Sequence, residues 1–176
     1  MKKIGIILLL LSSFLFSKAG TVINTESDIA LTQLKKKYPS AYDLLMNKAK
    51  AYLIFPSVVK GGFGVGGEYG EGVLRASNGV IIGYYSTASA SIGFQFGVQK
   101  KSIVIAFLTD KALENFIKSD GWKVGVDGSI ALVNIGASGA IDSATLNKPM
   151  VAFIFGEKGL MYNLTLEGSK FSKITR

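Results

Sequence analysis

Two periods of apolar residues divide this chain. Up to residue 50 the spacing is helical. Ile29, Leu34 and Tyr38 belong to a first helix predicted over residues 24–38, capped by Thr25 or Asn24, with Glu26 and Asp28 favourably placed in its first turn. Lys35, Lys36 and Lys37 suit its negative C-terminal dipole, and Pro39 stops it. A second helix is predicted from Ser40, whose hydroxyl with Asp43 makes a capping box, through Tyr42, Leu44, Leu45, Met46 and Ala49. Beyond 50 the period becomes two, or the apolar run continuous, and both spell strand. Residues 51–55 form a buried strand closed by Pro56. Strands over 62–75 and 79–86 flank Asn78-Gly79, a strong hairpin signal. Ala88, Ala90, Ile92, Phe94, Phe96 and Val98 then alternate with small and polar residues, and Lys100-Lys101 turns the chain into the apolar run 102–108.

The remaining third repeats the theme. Thr109 or Asp110 caps a short helix at about 110–119 with Ala112, Leu113, Phe116 and Ile117 on one face, ended by Gly121. A strand is predicted over 122–131, no boundary can be placed in 132–141, and a hairpin of 150–155 with 160–166 closes the chain. Short hairpin links imply antiparallel pairing. The fold class is therefore α+β, with N-terminal helices on a large, curved, mainly antiparallel sheet or an open barrel.

The densest feature is Gly61-Gly62-Phe63-Gly64-Val65-Gly66-Gly67 and the glycines at 70 and 72. Gly62, Gly64 and Gly67 fit a phosphate-loop spacing, but no helix follows to hold a pyrophosphate. Read by parity, positions 62, 64, 66, 70 and 72 are all glycine, interrupted by Glu68, while Phe63, Val65, Tyr69 and Val73 lie opposite. This is a strand with one bare face, where another backbone, a bend or a ligand comes close.

Composition removes most chemistry. The 176 residues contain no cysteine and no histidine, so there is no disulfide framework, no Ser-His-Asp or Cys-His catalysis, and no common metal ligand. Only an oxygen-ligated calcium site stays open, and its loop motif is missing. Ser57-Val58-Val59-Lys60 fits S-x-x-K, but two β-branched residues and two glycines after a proline oppose the helix that this chemistry needs. Glu68 and Glu71 stand three apart on a strand, hence on opposite faces. No catalytic residue, metal site or cofactor is expected, and the chain is read as a non-enzyme.

Residues 1–19 read as a signal peptide: Lys2 and Lys3, an apolar run from Ile4 to Phe16, then Ser17-Lys18-Ala19 with small residues where a peptidase reads. That places the remaining single domain, residues 20–176, in the periplasm or at a cell-envelope membrane surface. The net charge of +8 falls but stays positive when the three leader lysines go. Lys35, Lys36, Lys37, Lys48, Lys50 and Lys60 cluster in and just after the leading helices, with Asp43 among them. A basic helix with an apolar face can lie on anionic lipid, each lysine contributing ~1 kcal/mol. The same run also suits a solvated helix face. Nucleic acid fits less well, because the charge is modest and an exported protein seldom meets it.

Several blocks resemble a known family. Residues 49–56 (AKAYLIFP), 61–67 (GGFGVGG), 91–97 (SIGFQFG) and 120–127 (DGWKVGVD), with Leu108-Thr109-Asp110 and Gly159-Leu160-Met161-Tyr162, resemble in order the signature blocks of the SYLF lipid-binding domain. This is also known as the actin-binding domain of yeast endocytic adaptors. The resemblance implies binding of phosphoinositides or other anionic phospholipids through the basic N-terminal helices, at lysines 35, 36, 37, 48, 50 and 60. Some relatives bind actin, a partner that an exported chain is not expected to meet. The alternative is a structural envelope protein that receives a protein partner on its glycine-bare strand face.

Overall fold

The computed structural model describes residues 17–133, 140–156, 159–160, 166 and 168–176. Two helices lead, α1 (Gly20–Lys37) and α2 (Pro39–Asn47). Two very long strands follow, β1 (Ala51–Ala76) and β2 (Ile81–Phe107). Then come α3 (Asp110–Lys118), the two-residue strands β3 (Trp122–Lys123) and β4 (Ala131–Leu132), a single turn α4 (Ser143–Leu146), β5 (Met150–Gly156), β6 (Gly159–Leu160) and β7 (Lys170–Ile174). They join one sheet in the order β3-β7-β2-β5-β4, with β1 on β2 and β6 on β5. Every pairing is antiparallel except β4 with β5. The sheet curls into a half-barrel, the α+β class expected.

Several local expectations are corrected. α1 begins at Gly20, and neither Asn24 nor Thr25 caps it. Instead the Thr25 hydroxyl donates to the Thr21 carbonyl one turn back, as threonines inside helices do. Ser40 lies inside α2, which starts on Pro39 in the first-turn position that proline tolerates, and no capping box forms. Pro56 does not end a strand; β1 passes through it by a bulge between Phe55 and Val58, which absorbs the missing N–H. Likewise Lys100-Lys101 makes no turn. Lys100 pairs with Val59 and Lys101 with Val58 inside one continuous β2. The strand expected over 122–131 is two short pieces around a tight turn, where Gly125 takes φ +86°. Part of 132–141 and most of the 160–166 arm lie outside the described residues.

The β1–β2 hairpin folds back over itself. A Cβ placed on Gly72 would stand 2.2 Å from the Ile54 carbonyl oxygen, and one on Gly70 would stand 2.8 Å from Val58 Cγ2. The second half of β1 thus crosses the first half at backbone contact. The predicted close approach of another backbone is this crossing, and the backbone is the chain's own. Neither glycine has a positive φ, so space, not conformation, requires them.

Parity then separates two cores. In the first half Tyr52 and Ile54 face outward beneath the helices, joined by Val104, Ala106, Val151 and Phe153. Ile23, Leu31 and Leu34 of α1 and Leu44 and Leu45 of α2 cover them. Leu53, Phe55, Ile103, Ile105, Phe107 and Ile154 face inward. The bulges shift the parity in the second half, so that Val73 faces the helices and Leu74 the interior. α3 plugs the interior with Phe116, whose ring centroid lies 5.0 Å from those of Tyr85 and Phe107 and 5.8 Å from that of Trp122. Thr109 caps this helix, accepting from the Ala112 N–H at 3.3 Å.

Candidate functional site

The six candidate lysines are placed by three features: the direction of α1, the return of α2, and the length of β1. α1 runs alongside the second half of β1. The Lys18 N–H donates to Glu71 at 2.9 Å, and ten residues later Asp28 pairs with Arg75 at 2.6 Å. The helix covers about 15 Å in that interval and the strand about 13 Å, so the two advance together. Lys35, Lys36 and Lys37, all exposed, are carried roughly another 10–14 Å in the same direction, toward the β1–β2 turn. α2 returns the chain to Lys50, whose carbonyl accepts from the Ser77 N–H of that turn at 3.1 Å. Lys48 and Lys50 are exposed beside it.

Two aromatic side chains connect these groups. Lys35 Nζ sits 5.1 Å over the Tyr42 ring. Tyr52, two residues from Lys50, is raised in pKa by burial, and its hydroxyl feels Arg75, Tyr42 and Asp28. Lysines 35, 36, 37, 48 and 50 thus gather at one end of the sheet. Lys60 does not join them: ten strand residues separate it from Lys50, about 33 Å along β1. It stands instead opposite Gln99 and next to Lys100, near the bend where β1 folds back between its residues 54–58 and 70–72.

Two more lysines reach the basic end, which the linear order of the chain concealed. Lys111 follows Asp110, whose carboxylate lies 3.8 Å from Lys50 Nζ. Lys148 precedes Pro149, whose carbonyl accepts from the Leu108 N–H at 2.9 Å. The pairing of β1 with β2 brings Lys111 to this end, through Ala51 opposite Phe107, and that of β2 with β5 brings Lys148, through Phe107 opposite Met150.

The carboxylates and the S-x-x-K residues are absorbed by structure. Glu68 pairs with Lys101 at 2.8 Å, both side chains less than a tenth exposed. Glu71 accepts from the Lys18 N–H, from the Tyr69 hydroxyl at 2.9 Å and from the Arg176 guanidinium. Burial pushes its carboxyl up, but the three donors outweigh this and hold it below the usual carboxylate range. Tyr69 is pushed up to about 12, by burial first and then by Glu71. Ser57 and Lys60 sit on a strand, not on one helical turn. Among the described residues no cluster could hold a metal ion, and no helix is long and apolar enough to cross a membrane.

Residues 88–175 match the Ysc84 family, described as Las17-binding protein actin regulator. The chain is 30% identical over 154 residues to Beta cell expansion factor A of Aeromonas veronii, covering 88% of this chain and 57% of that protein. It is 30% identical over 158 residues to SH3 domain-containing YSC84-like protein 1 of Pongo abelii, covering 86% of this chain and 45% of that one. The chain spans about half the length of these curated relatives. The family match begins inside β2, so the six candidate lysines precede it.

Proposed function

The chain belongs to the Ysc84 (SYLF) family, and on that premise we propose that it is a non-enzymatic domain that docks on anionic phospholipid. The carrying observation is the convergence of lysines 35, 36, 37, 48 and 50 at one end of the sheet. Close to a lipid surface each contributes ~1 kcal/mol, so five acting together give ~5 kcal/mol at low salt, falling as salt screens them. With residues 1–19 read as a leader, the surface is that of an envelope membrane; cleavage after Ala19 removes the Lys18 N–H from Glu71 and leaves it the Tyr69 hydroxyl and the Arg176 guanidinium as donors.

The alternative, a protein partner received on the glycine-bare face, is weakened by the fold. Gly70 and Gly72 already face this chain's own residues 54–58. Sedimentation or flotation with liposomes tests the lipid reading. The protein is expected to float with phosphatidylglycerol-containing vesicles and to stay behind with neutral ones. Lys35→Glu, Lys36→Glu and Lys37→Glu together should release it. Equal behaviour on both vesicles, unchanged by the triple variant, would sink the reading.

A further inference from the structure

The basic end also carries an apolar feature that charge does not explain. Val80, Ile81 and Ile82 follow the β1–β2 turn and are 60%, 42% and 37% exposed. A half-buried strand hides alternate side chains, so three consecutive branched apolar residues left in water form a patch in need of an explanation. Three N–H groups of the turn are paired within it. Gly79 N–H donates to the Ala76 carbonyl at 2.8 Å, Ala76 N–H to the Val80 carbonyl at 2.8 Å, and Val80 N–H to Asn78 Oδ1 at 3.1 Å. Each N–H paired within the turn lowers the cost of moving it into an apolar medium. The Ser77 N–H fixes it to the Lys50 carbonyl, and across the strand Ile81 stands opposite Arg75, which α1 holds through Asp28.

We propose that residues 80–82 are the element that enters the apolar layer of an anionic bilayer, while lysines 35, 36, 37, 48 and 50 hold the head groups around it. Charge complementarity selects this occupant: an apolar tip rimmed by cations fits an apolar layer bounded by anions. The inference rests on the docking reading above and adds the inserting segment and the orientation, with the bend at Lys60 pointing away from the membrane.

The chain has no cysteine, so Val80→Cys can carry a single environment-sensitive fluorophore, with Val98→Cys, exposed near the bend, as the control site. On vesicles containing phosphatidylglycerol the label at 80 is expected to shift to the blue and to be quenched by a lipid-borne quencher, and the label at 98 to do neither. Val80→Ser with Ile81→Ser should weaken partitioning about tenfold or more without changing thermal unfolding. Flotation with the label at 80 still in water overturns insertion and leaves docking standing. No flotation of the unlabelled protein overturns both. A blue shift at 80 without vesicles assigns the patch to a second copy of the chain and also overturns the proposal.

Discussion

Replacing Gly72 by alanine tests the crossing on which the whole half-barrel depends. The new methyl group would lie 2.2 Å from the Ile54 carbonyl oxygen and 2.6 Å from Phe55 Cδ1, where ordinary contact begins at 3.4 Å. The obstacle is main chain, so no rotamer change relieves it, and the two halves of β1 must part by about 1 Å. A gap of that size forfeits about a quarter to a half of each van der Waals contact spanning it. Overpacking a core costs about 1–3 kcal/mol, and an obstacle made of backbone puts this change at the upper end, about 3 kcal/mol. In a chain of this length that lowers Tm by roughly 6–12 °C. Gly70→Ala should cost less, because its nearest neighbour is the Val58 methyl at 2.8 Å. Gly61→Ala should be neutral or stabilising by up to about 1 kcal/mol, since nothing lies within 4 Å. Differential scanning calorimetry of the three variants gives the order directly. Equal losses at 61 and 72, or a Gly72→Ala variant within about 0.5 kcal/mol of the parent, would refute the crossing.

Three further outcomes follow from the buried polar groups and the plug. Glu71 has a lowered folded pKa, so its stabilising contribution is present above the usual carboxylate range and is lost as pH falls through the folded value. Urea midpoints should therefore fall on acidification, and Glu71→Gln should flatten that fall; an unaltered pH profile in the variant would exclude Glu71 as its source. Lys101→Met leaves Glu68 buried and unpaired and should cost about 3–5 kcal/mol, whereas Lys101→Met with Glu68→Leu should recover most of it. Losses that simply add in the double variant would show the pair to be uncoupled. Phe116→Ala should cost about 3–5 kcal/mol in chemical denaturation, because its ring touches those of Tyr85, Phe107, Trp122 and Phe171; a loss under about 1 kcal/mol would mean that α3 is not the plug.

What could be read from the residues follows the range of the interaction involved. Helix α3 and its Thr109 cap were legible because cap and stripe lie within nine residues. The Asn78-Gly79 turn was legible for the same reason, although Gly79 alone takes a positive φ, +86°, and Asn78 does not, so the loop is not the two-residue turn that Asn-Gly favours most. The mistakes lie where tertiary pairing overrode a local breaker. Pro56 and Lys100-Lys101 resemble stops, yet each sits opposite the other's neighbourhood in one ladder, and a bulge accommodates the proline. The Thr25 and Asn24 caps failed because α1 is already formed before them: the Val22 and Ile23 N–H groups donate to the Ala19 carbonyl at 3.0 and 3.1 Å and Ile23 is fully buried, while the Asn24 side chain is engaged with the Tyr84 hydroxyl at 3.0 Å. The cluster of basic residues was visible as a run, but not its division. Lys60 is close to Lys50 in sequence and far from it along an extended strand, while Lys111 and Lys148 are distant in sequence and return through β2 and β5.

The glycine stretch and the basic end are consequences of one folding-back. Because β1 crosses itself at Gly70 and Gly72, the turn after its second half comes to lie beside the residue just before its first half, and the Ser77 N–H reaches the Lys50 carbonyl. Without the crossing, Ser77 and Lys50 would be separated by the whole length of a 26-residue strand, and the apolar turn would be remote from the lysines that rim it. The glycines thus contribute to function without touching a ligand: they set the distance between the cationic and apolar parts of the surface. A variant that folds with the crossing loosened, such as Gly70→Ala, should accordingly lose vesicle binding faster than its stability loss alone accounts for. Comparison of flotation with the folded fraction at the same temperature measures that excess, and its absence would show that the two parts of the surface act independently.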